Sequence, residues 1–493
     1  MPPEARVKLT THSPQVLAED EISRIWNAAL ATWAQVPLRA PGPDAFMQAL
    51  RDYGCDVRGD RIHFPQAVRE KVLARINAER ERNGPYRPAI VDSDTITFQT
   101  NGQGFHCCDT RTGSLRPATT EDLAEWSRLC DAIPGLQRGH PTYIPQDVPV
   151  ATCDVHAFAT IILNSRVPCR VSVYDADLIP FFIALQAVVD GSEEQARKAP
   201  VFNTTCYVNS PFMISREAID IAMRAREIMG LPFRVFAMPV AGATAPGALA
   251  GAMVQSVAEC LALNTVTLAL DDRVTGWTES MLGFDMRAGT PVANAPDGQL
   301  LSLMARQVGA WIFGGTYTAV GALSTTAKTP GAQSCMEKAL DAMWAFASGV
   351  RSFASLGVLA ASDAASATQL MLDLELVHTL ERLARGARVD EDTLAAEVIR
   401  EVAPRGAKYL VHEHTAEHFR EELWAAELMD RRFPSAWMQD ERTMLDRARD
   451  KALRMSESAE NQCPLTDEQR RQVAEIVAEA DAFVAKRKPK QTG

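Results

Sequence analysis

The sequence predicts an α/β fold: a (β/α)8 TIM barrel with an N-terminal helix–hairpin extension and a C-terminal helical extension. Three observations predict it. Short strand-like runs alternate regularly with longer helical runs from about residue 138 onward. Eight such runs fit before residue 365, the number a barrel needs. A doubly wound sheet is the alternative, but it usually carries a nucleotide fingerprint, and none is present.

Residues 1–137 form the expected N-terminal extension. "SPQVLAEDEISRIWNAALATWA" reads as a capped helix, and "VRGDRIHF" as a short hairpin between two further helices. The second of these places Val68, Val72, Leu73 and Ile76 on one side. "TITFQ" and "FHCCD" read as strands about a turn at Asn101-Gly102, followed by a helix capped by Thr119 or Thr120.

Residues 138–365 form the expected barrel core. Its strands are expected at 139–144, 169–175, 201–208, 234–240, 266–272, 280–286, 312–320 and 352–359. Helices fit at 154–165, 177–190, 215–229, 246–264, 297–311 and 331–350. Residues 366–493 are a helical extension with charged faces.

The chain has 493 residues, a net charge of -11, 46% hydrophobic and 23% charged residues. This balance argues against a nucleic-acid partner, because phosphate binding wants a basic face. The basic "AKRKPKQTG" reads as a solvated tail. The most apolar stretch, 246–270, carries Gln255, Ser256, Glu259 and Asn264, so a buried helix is expected rather than a membrane span. The N-terminus carries charges where a signal peptide would be apolar, and a cytoplasmic protein with reduced thiols is expected. The ten cysteines show no metal-like spacing.

In a barrel, chemistry sits just past the strands. The informative residues are therefore Asp175, Thr205, Cys206, Tyr207, Asn209, Met238, the loop Ala241–Ala245, Asp271, Asp272, Asp285, Met286, Arg287, Thr316 and Tyr317. No His cluster appears among them. The HxH pair His412–His414 lies in the helical tail, where residues two apart do not share a face. A structural or capping role is expected there, and no metal site.

The loop "AGATAPGALAG" lacks the spacing of a phosphate loop. It serves close strand–helix packing, or leaves room for a ligand over the barrel mouth. Arg287 beside Asp285 is a rim salt bridge or a clamp for a carboxylate. Glu259 reads as a satisfied contact against the barrel wall, and Glu337 as structural or near the site. Trp277, Phe284 and Tyr317 are core, or aromatic surface for a quaternary ammonium.

The order of motifs resembles the trimethylamine methyltransferase (MttB-like) family over nearly the whole chain. The pieces carrying the resemblance are "LRDYGCDVRGDRIHFPQAVREKVL", "CCDTRTGSLRPATTEDLAEWSRLCDAI", "IPQDVPVATCDVHAFATIILNSRVPC", "MPVAGATAPGALAGAMVQ", "GFDMRAGTPVANAPDGQLL", "AQSCMEKAL" and "LVHEHTAEHFREELW". The resemblance implies a barrel enzyme that moves a methyl group from a methylated amine to the cobalt of a corrinoid (cobalamin) carried by a separate protein. It implies no tightly bound cofactor of the chain's own, and a homo-oligomer is a further expectation.

Two departures bear on the substrate. The trimethylamine enzymes of the family carry pyrrolysine, whereas the corresponding "LSTTAKTPGAQSCMEK" here has ordinary residues throughout. "STTAK" also replaces a family stretch similar to "SSTDSK". The relatives without pyrrolysine include glycine betaine methyltransferases, so the resemblance implies a quaternary amine donor. Trp277, Phe284 and Tyr317 would then face the trimethylammonium. Arg287, oriented by Asp285, or the amides of Gly242 to Ala245 would hold the carboxylate, with Thr244 and Asn209 beside them. Another methylated donor (a tertiary amine, a sulfonium or a methoxylated compound) and a non-catalytic betaine-binding protein are the rival readings.

Overall fold

The computed structural model describes residues 6–7, 14–85, 95–166, 170–275, 281–292, 294–315 and 320–487. The first long helix, Glu19–Gln35, opens with Glu19, Asp20 and Glu21, which complement the positive helix end. Glu21 also accepts the Ala18 N–H at 2.8 Å, tying off one free donor of the first turn. Its buried stripe of Ile22, Ile25, Ala29 and Trp33 packs on the helix Leu249–Asp271. The predicted hairpin is present as Asp56–Arg58 against Arg61–His63, with Leu38–Arg39 as a third antiparallel strand. Gly59, at φ 62°, makes its turn.

The molecule is a mixed α/β structure whose central strands run parallel. Val320–Ala322, Ser352–Leu356, Thr97–Thr100 and Leu136–Arg138 form one parallel sheet in that order. Beyond it, the Arg170 N–H donates to the Gly139 carbonyl at 3.2 Å. Ser172 bridges Asn203, Cys206–Val208 pairs with Val235–Ala237, and Val240 bridges Leu282, all parallel. Eight segments are thus linked edge to edge, from 320–322 round to 282; in chain order they are the first (97–100), second (136–139), third (170–172), fourth (203–208), fifth (235–240), sixth (282), seventh (320–322) and eighth (352–356).

Helices follow these segments much as the sequence predicts: Cys153–Asn164, Ile179–Asp190, Arg216–Met229, Leu249–Asp271, Pro296–Phe313 and Ala332–Ala347. Ser215 and Thr119 cap their helices through side-chain oxygens that accept backbone N–H groups. The helix Leu249–Asp271 is long and apolar enough to cross a bilayer, yet 78% of its most apolar window is buried. It lies between the strands and the N-terminal helices.

Several strand expectations need correction. The expected strand 266–272 is the end of the helix Leu249–Asp271. Its β-branched residues favour a strand, but burial on all sides overrides that weak preference. Thr265 Oγ1 donates to the Leu261 carbonyl at 2.9 Å, satisfying its hydroxyl inside the helix. Of the expected strand 312–320, Ile312 and Phe313 finish a helix, Val320 opens the strand Val320–Ala322, and 316–319 lie outside the described residues. Residues 283–285, expected to continue a barrel strand, instead form an antiparallel hairpin with 290–292. The strand Thr97–Thr100, read as a hairpin arm, is a member of the parallel set.

Beyond residue 366 the chain is mainly helical, with the short strand Ala387–Arg388 pairing antiparallel with Arg6–Val7. The helix Asp467–Ala485 packs on Cys153–Asn164 and Ile179–Asp190. There Phe483 meets Phe181 at 5.6 Å between ring centroids. Its buried Val473 and Ala480 join the same core as the strand-following helices, each large apolar side chain so buried contributing about 1.5–3 kcal/mol.

Candidate functional site

Alternation along the strands sorts their side chains. Cys206, Val208, Val235 and Ala237 are buried in the core shared with the helices. Asn203, Thr205, Tyr207, Phe236 and Met238 therefore occupy the opposite face. Tyr207 is 50% and Met238 45% exposed, so that face is open toward the ends of the strands. The Tyr207 and Phe236 rings stand side by side at 6.4 Å.

A continuous polar network lies on the same face. The Gln103 side-chain amide donates to Ser172 Oγ at 2.9 Å and lies 3.3 Å from His140 Nδ1. Tyr174 Oη donates to Gln103 Oε1 at 3.0 Å. Asn203 Nδ2 donates to Ser172 Oγ at 3.4 Å, and Thr205 Oγ1 donates to Asn203 Oδ1 at 2.6 Å. Gln103, His140 and Tyr174 lie just past three successive strand segments, whereas Asn203 and Thr205 precede the strand Cys206–Val208 and Tyr207 lies within it. Burial, with help from the Arg170 charge, pushes the His140 imidazole below its usual range and favours the neutral ring.

Behind this face Asp154 fixes the third strand. Its carboxylate accepts the N–H groups of Val155 at 2.9 Å and Tyr174 at 2.8 Å. Burial raises its pKa to about 6. A buried ion pair supports the ends of the last two strands. Lys338 Nζ lies 2.6 Å from Asp373 Oδ2, which also accepts the Gly357 N–H at 2.7 Å. Gln369 Nε2 occupies the other carboxylate oxygen at 2.8 Å. Burial lowers the lysine pKa and raises that of the aspartate, each partner opposing the shift in the other.

Glu337 sits beside the seventh strand segment, where Thr325 Oγ1 donates to it at 2.6 Å and the Thr326 N–H at 2.8 Å. Burial acts to raise its pKa, but hydrogen bonds from Thr325, Gln333 and Thr326 outweigh it and hold the carboxyl below its usual range. Glu259 accepts from Ser210 Oγ, the Phe212 N–H and Gln255 Nε2, a satisfied contact as its sequence setting suggests.

The loop after the fifth strand is held by its own backbone. The N–H groups of Ala243, Thr244 and Ala245 all donate to the Val240 carbonyl, and that of Gly242 to the Ala245 carbonyl. The loop amides expected to grip a carboxylate are thus already engaged. The Thr244 hydroxyl accepts the Val240 N–H at 2.9 Å, so it too braces the turn. Gly242 has φ 91°, and a Cβ there would lie 3.6 Å from that of Phe284. The loop and the 283–292 hairpin are therefore neighbours.

At the exposed tip of that hairpin, Asp285 Oδ1 accepts the N–H groups of Arg287 at 2.7 Å and Ala288 at 2.9 Å. These bonds hold its carboxyl below the usual range. Asp285 shapes the turn that carries Arg287 and Met286. Asn209 is exposed at the end of the fourth strand, its backbone N–H donating to the Met213 carbonyl. Trp277, Thr316 and Tyr317 lie outside the described residues.

Asp271 and Asp272 leave the site, because the strand expected to present them is a helix end. Asp271 holds Arg226 Nε and the Phe233 N–H, and Asp272 pairs with Arg75. Asp175 stays at the rim, where Arg487 clasps it at 2.8 Å and also holds Asp177 at 2.5 Å. Gln103, His140, Ser172, Tyr174, Asn203 and Phe236 escaped the sequence reading. The alternation in "VFNTTCYV", polar at 203, 205 and 207, was the available signal.

Comparison with known proteins agrees with the motif order. The family model for trimethylamine methyltransferase (MTTB) matches residues 4–491. A glycine betaine methyltransferase of Desulfitobacterium hafniense is 24% identical over 480 residues, covering 96% of this chain and 97% of its own. A trimethylamine methyltransferase of the same species is 24% identical over 361 residues, covering 72% and 71%. Among solved structures, the Methanosarcina barkeri monomethylamine methyltransferase aligns over 90% of this chain and 98% of its own. That alignment has 13% identity and a TM-score of 0.33. On the match of the family model, this chain belongs to the trimethylamine methyltransferase family and is a methyltransferase.

Proposed function

We propose that the chain takes a methyl group from a quaternary amine of the glycine betaine type and delivers it to a corrinoid held by a partner protein. The observation that carries this reading is the chemistry of the strand-end face. It offers the aromatic surface of Tyr174, Tyr207 and Phe236, neutral amides and hydroxyls, and an imidazole biased toward its neutral form. Aromatic faces attract a desolvated quaternary ammonium by roughly 1–2 kcal/mol per contact. Near full-length similarity to a betaine enzyme and a segment of ordinary residues in place of pyrrolysine support the same donor.

The linked strand segments support a (β/α)8 barrel whose last seam closes between 281–282 and 320–322. The side chain of Asn294 donates to the Ser324 carbonyl across that seam. The barrel core then begins near residue 95, with helical extensions on either side.

The rim suits a flat, apolar group as large as a corrin. Phe105, Tyr174, Tyr207, Met238 and Met286 are all exposed there, from 43% to 75%. When bound, the corrinoid supplies a reduced cobalt that accepts the methyl group. The chain's residues bind the ammonium against the aromatic rings, aim one N–CH3 bond outward and exclude water. Loss of that methyl leaves a neutral tertiary amine holding the electron pair of the broken bond. No proton has to move, which agrees with a face poor in acids and bases. Arg287, on the exposed hairpin tip, is the carboxylate partner in this reading, with Phe284 behind it and Asn209 across the mouth. Trp277 and Tyr317, expected from the sequence to face the ammonium, lie outside the described residues.

The test is anaerobic turnover of glycine betaine with Co(I) cobalamin, following the cobalt spectrum. Methylcobalamin and dimethylglycine in equal amounts support the reading. Methylation from a sulfonium, a tertiary amine or a methoxylated compound alone would replace the donor. Tight betaine binding without transfer, with a corrinoid protein present, would leave a binding protein.

A further inference from the structure

His414 and His418 stand one turn apart on the helix Glu413–Glu422, their rings stacked at 4.0 Å and 14°. Both direct Nε2 toward Asp392, a residue of the short helix Glu391–Leu394. His418 Nε2 lies 3.0 Å from Asp392 Oδ2, and His414 Nε2 lies 3.1 Å from its carbonyl oxygen. One ligand atom from each of the three residues falls within 4.8 Å of the others.

The surroundings resemble the outer shell of a metal centre. His418 Nδ1 sits 2.8 Å from the His414 carbonyl, to which an Nδ1–H donates, leaving Nε2 as the ligand. Metal-bound histidines are commonly oriented in this way. The HxH pair noticed in the sequence is not the chelating unit. His412 is the N-cap of the helix, its Nδ1 accepting the His414 N–H at 3.2 Å. The chelating spacing is His414 and His418, which share a helix face. Asp392 is 61% exposed and His418 16%, so an ion has access and a position remains open for water.

We propose that His414, His418 and Asp392 bind one divalent transition ion of the zinc class. Ligands on a tetrahedral ion with bonds of ~2.0–2.1 Å stand roughly 3.3 Å apart. His418 Nε2 and Asp392 Oδ2 already stand 3.0 Å apart, and the His414 ligand atom, within 4.8 Å of both, closes the remaining gap on binding. Arg388, whose Nη2 donates to Asp392 Oδ2 at 2.8 Å, competes with the ion. Its presence places the affinity below that of a dedicated four-ligand centre. The bound ion cross-links residue 392 to the 413–422 helix. This is a structural role remote from methyl transfer.

The test uses the full chain, stripped of metal, and titrated with Co2+ and then Zn2+. The expected result is about one Co2+ per chain with a tetrahedral visible spectrum that Zn2+ abolishes. Affinity falls at least tenfold in both H414A and H418A, each verified as folded by far-ultraviolet circular dichroism. H412N, which keeps a capping side chain, binds as the parent does. D392N gives a second disruption if either histidine variant fails to fold. No stoichiometric Co2+ or Zn2+ binding, or binding unchanged in H414A/H418A and in D392N, overturns the proposal. The double variant retains every thiol, so unchanged binding would identify the cysteines as the ligands.

Discussion

Replacing Tyr207 by Leu tests the aromatic reading of the site directly. The ring stands on the open strand-end face, half exposed, against Phe236. Removing it keeps an apolar side chain but deletes one aromatic wall, worth about 1–2 kcal/mol for a desolvated quaternary ammonium. At 1.4 kcal/mol per factor of ten, the dissociation constant for glycine betaine should rise roughly five- to thirtyfold. Tyr207→Phe keeps the aromatic face and loses only the hydroxyl, so its effect should be smaller. Isothermal titration of the chain alone measures both. Titration of 3,3-dimethylbutyrate, the carbon isostere without the positive charge, separates cation–π attraction from simple contact. Betaine binding by Tyr207→Leu within twofold of the parent would refute the reasoning. Equal losses for betaine and its carbon isostere would refute it as well.

Lys338→Met strands the buried Asp373 carboxylate and should cost about 3–5 kcal/mol in urea unfolding, whereas Lys338→Met with Asp373→Leu should recover most of that loss. Asp154 carries a proton linkage. Its folded pKa of about 6 exceeds the unfolded value near 3.8, so its contribution is fully present below the unfolded pKa and is lost as pH rises through about 6. The loss is on the order of 3 kcal/mol. Asp154→Asn should flatten stability between those pH values, and an unchanged pH profile of urea midpoints would exclude the linkage. Gly242→Ala forces a side chain into φ 91° beside Phe284. It should cost about 1 kcal/mol or more in stability and raise the betaine dissociation constant, both readable by thermal unfolding and calorimetry.

Helices were the most legible part of the sequence. Those after 153, 179, 216 and 332 begin within a few residues of their expected starts, because apolar spacing and capping residues act locally. Strands were less legible. "VTLALDD" has the composition of a strand, yet it ends a helix buried among other helices, a fact of tertiary packing that no local pattern contains. Asn101-Gly102 looks like a hairpin turn, but the strand before it joins the parallel set beside residues some forty and 250 positions away. The candidate site suffered similarly. Asn203, Thr205 and Tyr207 alternate visibly, but which side of the strand faces the helices is settled only by Cys206 and Val208 entering the core. Gln103, His140 and Ser172 belong to different segments, and only the sheet brings them together.

Arg487 joins the final helix to Asp175 and Asp177, two residues past the third strand segment. The last turn of that helix is therefore coupled to the doorway through which a donor would arrive. A small fluorophore on that turn, at a position other than Arg487 or Phe483, would sense occupancy of the mouth without touching any group proposed to hold the donor. A bulky group placed there would crowd the same threshold.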